Sequence, residues 1–418
     1  MLRKFLLVLG LLVALPAFPA ARLTYSVNGV AIPVAWPASA FPLPYEIDQR
    51  IVSLRPGFDE TIGRAFSEWT NISDANVTTR PATVANITAG HDGVNSISLA
   101  DDLFANQKFY AVTTNWYDDS GKMTEADIQI DTNTFNSNAC DMQSLVAHEI
   151  GHFLGLDHSA VLSAVMYPYI GKSAMPSLDS DDRVAISTLY PKAIGGATLQ
   201  GHVTGDSGGI FAAQVVAMND RGQPVATALT DQNGDFEIDN VPAGAYRVYA
   251  EPLDGPVGVN NMSGVWRLAK VTSFPTQFAD DGAVINVTAG HVYGNLFVNS
   301  SGTTQLNPKW IGAFTPASNG MTLTASPVVL KPGDTINIAV GGDGFTSGMT
   351  TFEIPNTLIH RVSDFTYGSN YVYATFTVSP AMLPSSVAIL VKSGNETAAL
   401  TGGIRIAGQE PHGRVARK

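Results

Sequence analysis

Two hydrophobic periods run along this chain, and one gives way to the other near residue 195. In the first part, Ile62, Phe66 and Trp69 fall on one face of a helix, Val146, Ile150 and Phe153 on the inner face of a second, and 179–190 reads as a closing helix. Between the first two helices, 94–99 and 110–116 read as strands. This order predicts an α+β domain with a mixed sheet, divided by a cleft. From Ala197 the texture changes to short alternating strands with glycine and proline turns, typified by 214–218 and 246–250, which predicts an all-β sandwich up to about residue 300. Ile336, Ile338 and Val340, then Val372, Ala374, Phe376 and Val378, alternate as half-buried strands and predict a second sandwich over 301–408.

Both ends read differently. Arg3 and Lys4, an apolar run over 5–15 and a small-residue exit over 16–21 predict a secretory signal peptide cleaved near Ala20 or Ala21, and hence a secreted, extracellular protein. The apolar run is shorter than the roughly 20 residues that span a bilayer, so no membrane span is expected. Residues 409–418 read as a disordered tail.

Composition narrows the partners. A net charge of -12 argues against nucleic acid, whose phosphates need clustered lysine and arginine. A single cysteine, Cys140, excludes intramolecular disulfides and reads as a small buried apolar residue. His202, His291 and His360 are isolated, and the asparagines in N-x-Ser/Thr patterns, Asn261 among them, are assigned no role.

One stretch carries a chemistry. In His148-Glu149-Ile150-Gly151-His152, the two histidines lie four apart and project from the same side of a helix, where they can grip one cation with Glu149 at the edge of that stripe. Gly155 can take the left-handed conformation that ends helices, which lets the chain turn and bring His158 round as a third nitrogen ligand. Three neutral imidazoles leave a zinc ion one open position, and Glu149 is then placed to take a proton from water and pass it to a leaving amine.

The extended motif, with Ser159 after the third histidine and a methionine turn at Ser163-Ala164-Val165-Met166-Tyr167-Pro168, resembles the matrixin family of metzincin zinc endopeptidases. Pro44-Tyr45-Glu46-Ile47-Asp48, Ala65-Phe66-Ser67-Glu68-Trp69, Glu125-Ala126-Asp127-Ile128-Gln129-Ile130 and Asp181-Asp182 before Leu189-Tyr190 are similar to matrixin segments in matrixin order. The likeness covers about residues 35–192, within a domain expected over 22–192. It implies a zincin-type catalytic fold and one catalytic Zn2+ held by His148, His152 and His158, with Glu149 as general base. It further implies Met166 as a hydrophobic floor, with Tyr167 and Pro168 opening the wall of the pocket for the substrate residue after the cut. The sequence departs from animal matrixins in two respects. Only His91 occurs between residues 23 and 143, so a structural zinc is not expected, and no cysteine precedes the domain to hold it latent, so activity on secretion is expected. Ca2+ at the acidic loops of Asp101, Asp102, Asp118, Asp119, Asp127 and Asp131 is a secondary expectation.

Thr230-Asp231-Gln232-Asn233-Gly234-Asp235-Phe236 followed by Val241-Pro242-Ala243-Gly244-Ala245-Tyr246 resembles a carboxypeptidase-regulatory-like sandwich, placed over 193–300, in which the acidic stretch is expected to be a tight hairpin. Pro332-Gly333-Asp334 leading to Gly344-Phe345 resembles immunoglobulin-like IPT/TIG modules, placed over 301–408. The reading is a zinc endopeptidase acting on proteins or peptides, with two β-modules that bind a surface or polymer. The alternative is a cell-surface or secreted adhesion protein with an idle protease-like domain. A third reading, a thermolysin-type site completed by a distant glutamate, would leave His158 off the metal.

Overall fold

In the computed structural model, which describes residues 22–408 apart from 28–29, 81, 102–108, 138, 172–176, 193–194 and 319, Ile62, Phe66 and Trp69 line the buried face of a helix, Phe58–Thr70. Asp59 and Glu60 occupy its first turn, where the helix dipole favours negative charge. The leader expected over 1–21, the tail over 409–418 and Asp102 lie outside the described residues. A second helix, Met142–Phe153, starts at Asp141, whose carboxylate accepts a 2.8 Å hydrogen bond from the Ser144 N–H as an N-cap. The Trp69 indole donates to the Ala147 carbonyl at 2.9 Å, pinning one helix to the other.

Five strands stand beside these helices in the order Thr83–Ala85, Glu46–Asp48, Ser96–Ala100, Met123–Asp131 and Ala111–Tyr117. The first four run parallel, and the last is antiparallel to its neighbour. Ala111–Tyr117 is therefore an edge strand, pairing with Met123–Asp131 alone among the described strands. The sheet is mixed, as the sequence predicts.

The second helix stops where Gly155 stands. The Leu156 N–H bonds to the Gly151 carbonyl and the Gly155 N–H to that of His152, both at 2.9 Å, which is the pairing of a Schellman cap. Gly155 has φ +94°, and a Cβ there would lie 2.6 Å from the Val34 carbonyl oxygen, so only glycine fits both turn and contact. The closing helix, Ser180–Leu189, begins with a capping box between Asp179 and Asp182. The Asp182 carboxylate also reaches across to the methionine turn and accepts from the Val165 N–H at 2.8 Å and the Met166 N–H at 3.1 Å.

Two β-sandwiches follow. In the first, Pro224–Leu229, Gln214–Asn219 and Gly244–Glu251 form one face and Asp235–Val241, Ala197–Gly205 and Val292–Asn299 the other. The expected hairpin at Thr230–Phe236 is corrected: Pro224–Leu229 and Asp235–Val241 belong to different sheets, so the turn crosses the sandwich instead of pairing its flanks. Asp231 shapes that crossing by accepting from the backbone N–H groups of Asn233 and Asp235. In the second sandwich Tyr371–Val378 alternates as expected, whereas Thr335–Asp343 is buried on both faces, from Asn337 to Gly342. Its core is not self-contained: one apolar cluster joins Ile338, Val340 and Val372 to Trp266 and Met262 of the first sandwich and to Leu162 and Tyr167 beside the methionine turn. No helix among the described residues is long and apolar enough to cross a membrane. Cys140 is buried and unpaired, and burial pushes its thiol up to about 11.

Two substitutions test this framework. A Cβ on Gly151 would meet the Met166 sulfur at 2.1 Å and the Trp69 ring at 3.0 Å, so Gly151→Ala is expected to cost about 1–3 kcal/mol in urea unfolding. An unchanged midpoint would contradict that packing. Asp182→Ala strands the buried N–H groups of Val165, Met166 and Asp179, with an expected loss of at least about 3 kcal/mol; a loss well under 1 kcal/mol would contradict the tie between closing helix and methionine turn.

Candidate metal centre

The Schellman cap turns the chain back beneath its own helix, and the three histidines converge. His148 and His152, one turn apart on the inner face of Met142–Phe153, present Nε2 atoms 3.1 Å apart, and His158 arrives from the loop with its ring centroid 5.3 Å and 4.8 Å from theirs. Among the described residues these form the group of metal-capable side chains, with ligand atoms within 4.8 Å of one another.

The outer nitrogens decide what the inner ones can do. Nδ1 of His148 lies 2.8 Å from the Val165 carbonyl oxygen, Nδ1 of His152 2.8 Å from that of Leu156, and Nδ1 of His158 2.6 Å from that of Asn261. A carbonyl can only accept, so each Nδ1 carries the proton and each Nε2 is left as a bare lone pair facing the other two rings. Burial pushes His148 down to about 3, helped by His158, and pushes His152 well below its ordinary value, so neither becomes cationic near neutral pH. Lone pairs that face one another repel unless a cation lies between them. Tetrahedral zinc with nitrogen ligands at about 2.0–2.1 Å would set its nitrogens about 3.3 Å apart, close to the 3.1 Å between those of His148 and His152. The donor set therefore fits zinc.

Glu149 is buried beside this cluster. Thr113, on the edge strand, donates its hydroxyl to Oε2 of Glu149 at 2.6 Å, and Asn115 on the same strand donates to the His152 carbonyl at 3.2 Å. Burial pushes the Glu149 carboxyl up to about 7, with the Thr113 hydrogen bond pulling the other way. Met166 is buried against Gly151 on the underside of the helix, and its carbonyl accepts from the Ser159 N–H at 2.8 Å. Tyr167 is also buried, with its hydroxyl donating to the Ala325 carbonyl of the last sandwich; Pro168 is half-buried and Tyr169 exposed.

Several carboxylates of the candidate calcium loops accept hydrogen bonds from the chain or face a cationic side chain. Asp127 accepts from the Gly90 and Ser96 N–H groups and the Ser96 hydroxyl, Asp118 from Ser120 and Lys122, and Asp131 from Thr134. Asp101 lies 3.7 Å from Arg50. Glu125 holds the turn around His91 through the N–H groups of Asp92 and Gly93. Asp118 and Asp131 thus order their own turns, whereas Asp127 and Glu125 tie down the segment around residues 90–96 from another strand.

Thr113, Gly151 and Asn261 were not singled out for the site by sequence reasoning. The strand pattern places Thr113 in a sheet without naming its partner, Gly151 hides as a variable position inside the motif, and Asn261 lies 103 residues beyond His158.

The segment that carries these residues is similar to known proteins. Residues 36–191 match the matrixin family model, and residues 198–254 match the carboxypeptidase regulatory-like domain. Karilysin of Tannerella forsythia is 46% identical over 57 residues, covering 14% of this chain and 12% of karilysin. Metalloendoproteinase 2-MMP of Arabidopsis thaliana is 29% identical over 164 residues, 37% of this chain and 42% of that protein. Metalloendoproteinase 1 of Glycine max is 30% identical over 174 residues, 37% of this chain and 52% of that protein. The chain thus spans about half or less of the length of these relatives. The protein carries a matrixin domain followed by a carboxypeptidase regulatory-like domain.

Proposed function

We propose that the protein is a secreted zinc endopeptidase that hydrolyses internal peptide bonds of protein substrates. The observation that carries this reading is the convergence of three Nε2 lone pairs, each fixed by a carbonyl behind its ring, beside a buried carboxylate. The matrixin match over residues 36–191 supports it. His148, His152 and His158 would hold the ion, which when bound supplies Lewis acidity toward water and the scissile carbonyl.

The remaining steps belong to the chain. Thr113 holds Oε2 of Glu149, which leaves Oε1 to take a proton from the attacking water and deliver it to the departing nitrogen. Buried surroundings that lift the carboxyl toward neutrality also ease that delivery. The outer edge of Ala111–Tyr117 offers backbone N–H and C=O groups to an extended peptide, as an added strand would use them. Pro168 and the backbone beside Tyr167 would form the wall for the residue after the cut, over the floor at Met166.

Glu149→Gln is expected to keep the zinc and lower hydrolysis of an unfolded protein such as casein by about 10²–10⁴-fold. Full activity in that variant would sink the mechanism. His158→Ala separates this site from a two-histidine one completed elsewhere: zinc per chain, measured by elemental analysis after dialysis against a weak chelator, should fall far below one equivalent, and unchanged zinc content would remove His158 from the site.

A further inference from the structure

His148 and His152 donate their outer hydrogen bonds to the carbonyls of Val165 and Leu156, within the matrixin segment. His158 does not. Its Nδ1–H donates to the Asn261 carbonyl, which lies in the excursion that leaves the first sandwich after Glu251 and returns at Gln277. The contact is one of a set. The Ser263 N–H donates to Oδ2 of Asp157 at 2.7 Å while Oδ1 of Asp157 accepts the His158 N–H at 2.8 Å. The Asn261 amide lies 3.4 Å from the Tyr169 hydroxyl, on the segment that follows the methionine turn.

The excursion is built to present that carbonyl. Asn261 closes the short helical turn Val259–Asn261 with its own side chain, whose Oδ1 accepts from the Gly258 N–H at 3.0 Å. Val259, Met262, Val265 and Trp266 are buried in the cluster that also contains Leu162 and Tyr167, and the Trp266 indole donates to the Thr230 carbonyl at 3.2 Å. Apolar burial fixes the turn on the sandwich side, and the polar set fixes it on the protease side.

We infer that Asn261 is a positioning residue for the metal site: the turn Val259–Asn261 of the first β-sandwich sets the tautomer and ring orientation of the third histidine. The inference rests on the zinc reading of that site. The sandwich then acts as part of the protease and not as a detachable anchor. A carbonyl behind a ligating imidazole fixes its orientation and raises its basicity. Because coupling is reciprocal, zinc binding must in turn tighten the excursion against the loop that carries His158.

The test uses the full chain, with zinc affinity measured by competition against a chromophoric chelator. Asn261→Ala removes the side chain that closes the turn and should weaken zinc binding by about 10–100-fold, while Asn261→Asp, which keeps the acceptor for Gly258, should retain wild-type affinity. A purely structural role would lower the melting temperature of metal-free and zinc-loaded protein alike and leave zinc affinity unchanged, which would overturn the inference. Hydrogen exchange on the wild-type chain decides the matter even where Asn261→Ala fails to fold: adding zinc should slow amide exchange across residues 256–264. Exchange there that ignores zinc, while residues 148–158 respond, would overturn the inference and leave the protease reading intact. A wild-type chain that takes up no zinc would overturn both.

Discussion

Three imidazole lone pairs face one another in a buried site because each ring has its outer N–H committed to a backbone carbonyl. That commitment is what the surrounding structure exists to maintain. Without it a ring could flip, rotate or swap tautomers, and the inner nitrogens would not stay unprotonated and convergent. The carbonyls come from three places: the end of the motif helix, the methionine turn and the first sandwich. Each must be held by something else in turn.

The holding groups are largely buried polar side chains that bridge segments far apart in sequence. Asp181 accepts from the hydroxyl of Ser159, next to His158, and from that of Thr227 in the first sandwich. Ser386 in the last sandwich donates to Asp179, and Thr401 there donates to Glu251, whose carboxyl burial pushes up to about 7. Burying carboxyl groups is unfavourable unless donors satisfy them, and these are satisfied across the boundaries between units. The loop from His158 to Pro168 is also held directly from outside the matrixin segment, by the carbonyls of Asn261, Ala325 and Thr401. An arrangement of this kind turns appended β-modules into structural members of the site.

The histidine motif was legible in the sequence because its residues lie at short spacings. Two histidines a turn apart, a carboxylate between them and a glycine that frees the chain leave a local signature, and the helix ends at Gly155 as that signature requires. The closing helix was legible over 179–190, and it opens on a capping box. What escaped was non-local. Nothing in the residues near 261 distinguishes a turn that supports an imidazole 103 positions earlier from any other surface turn. The same holds for Asp231, whose turn chemistry was readable while the sheet to which each flanking strand belongs was not. Thr335–Asp343 was expected to be half-buried because alternation reports the face toward its own sandwich and cannot report what covers the other.

X-ray absorption at the zinc edge of the metal-loaded full chain tests the central claim most directly. The account predicts a first shell of three imidazole nitrogens at about 2.0–2.1 Å, one further light ligand and no sulfur. A shell with two imidazoles completed by a carboxylate, or one containing the Met166 or Cys140 sulfur, would contradict it.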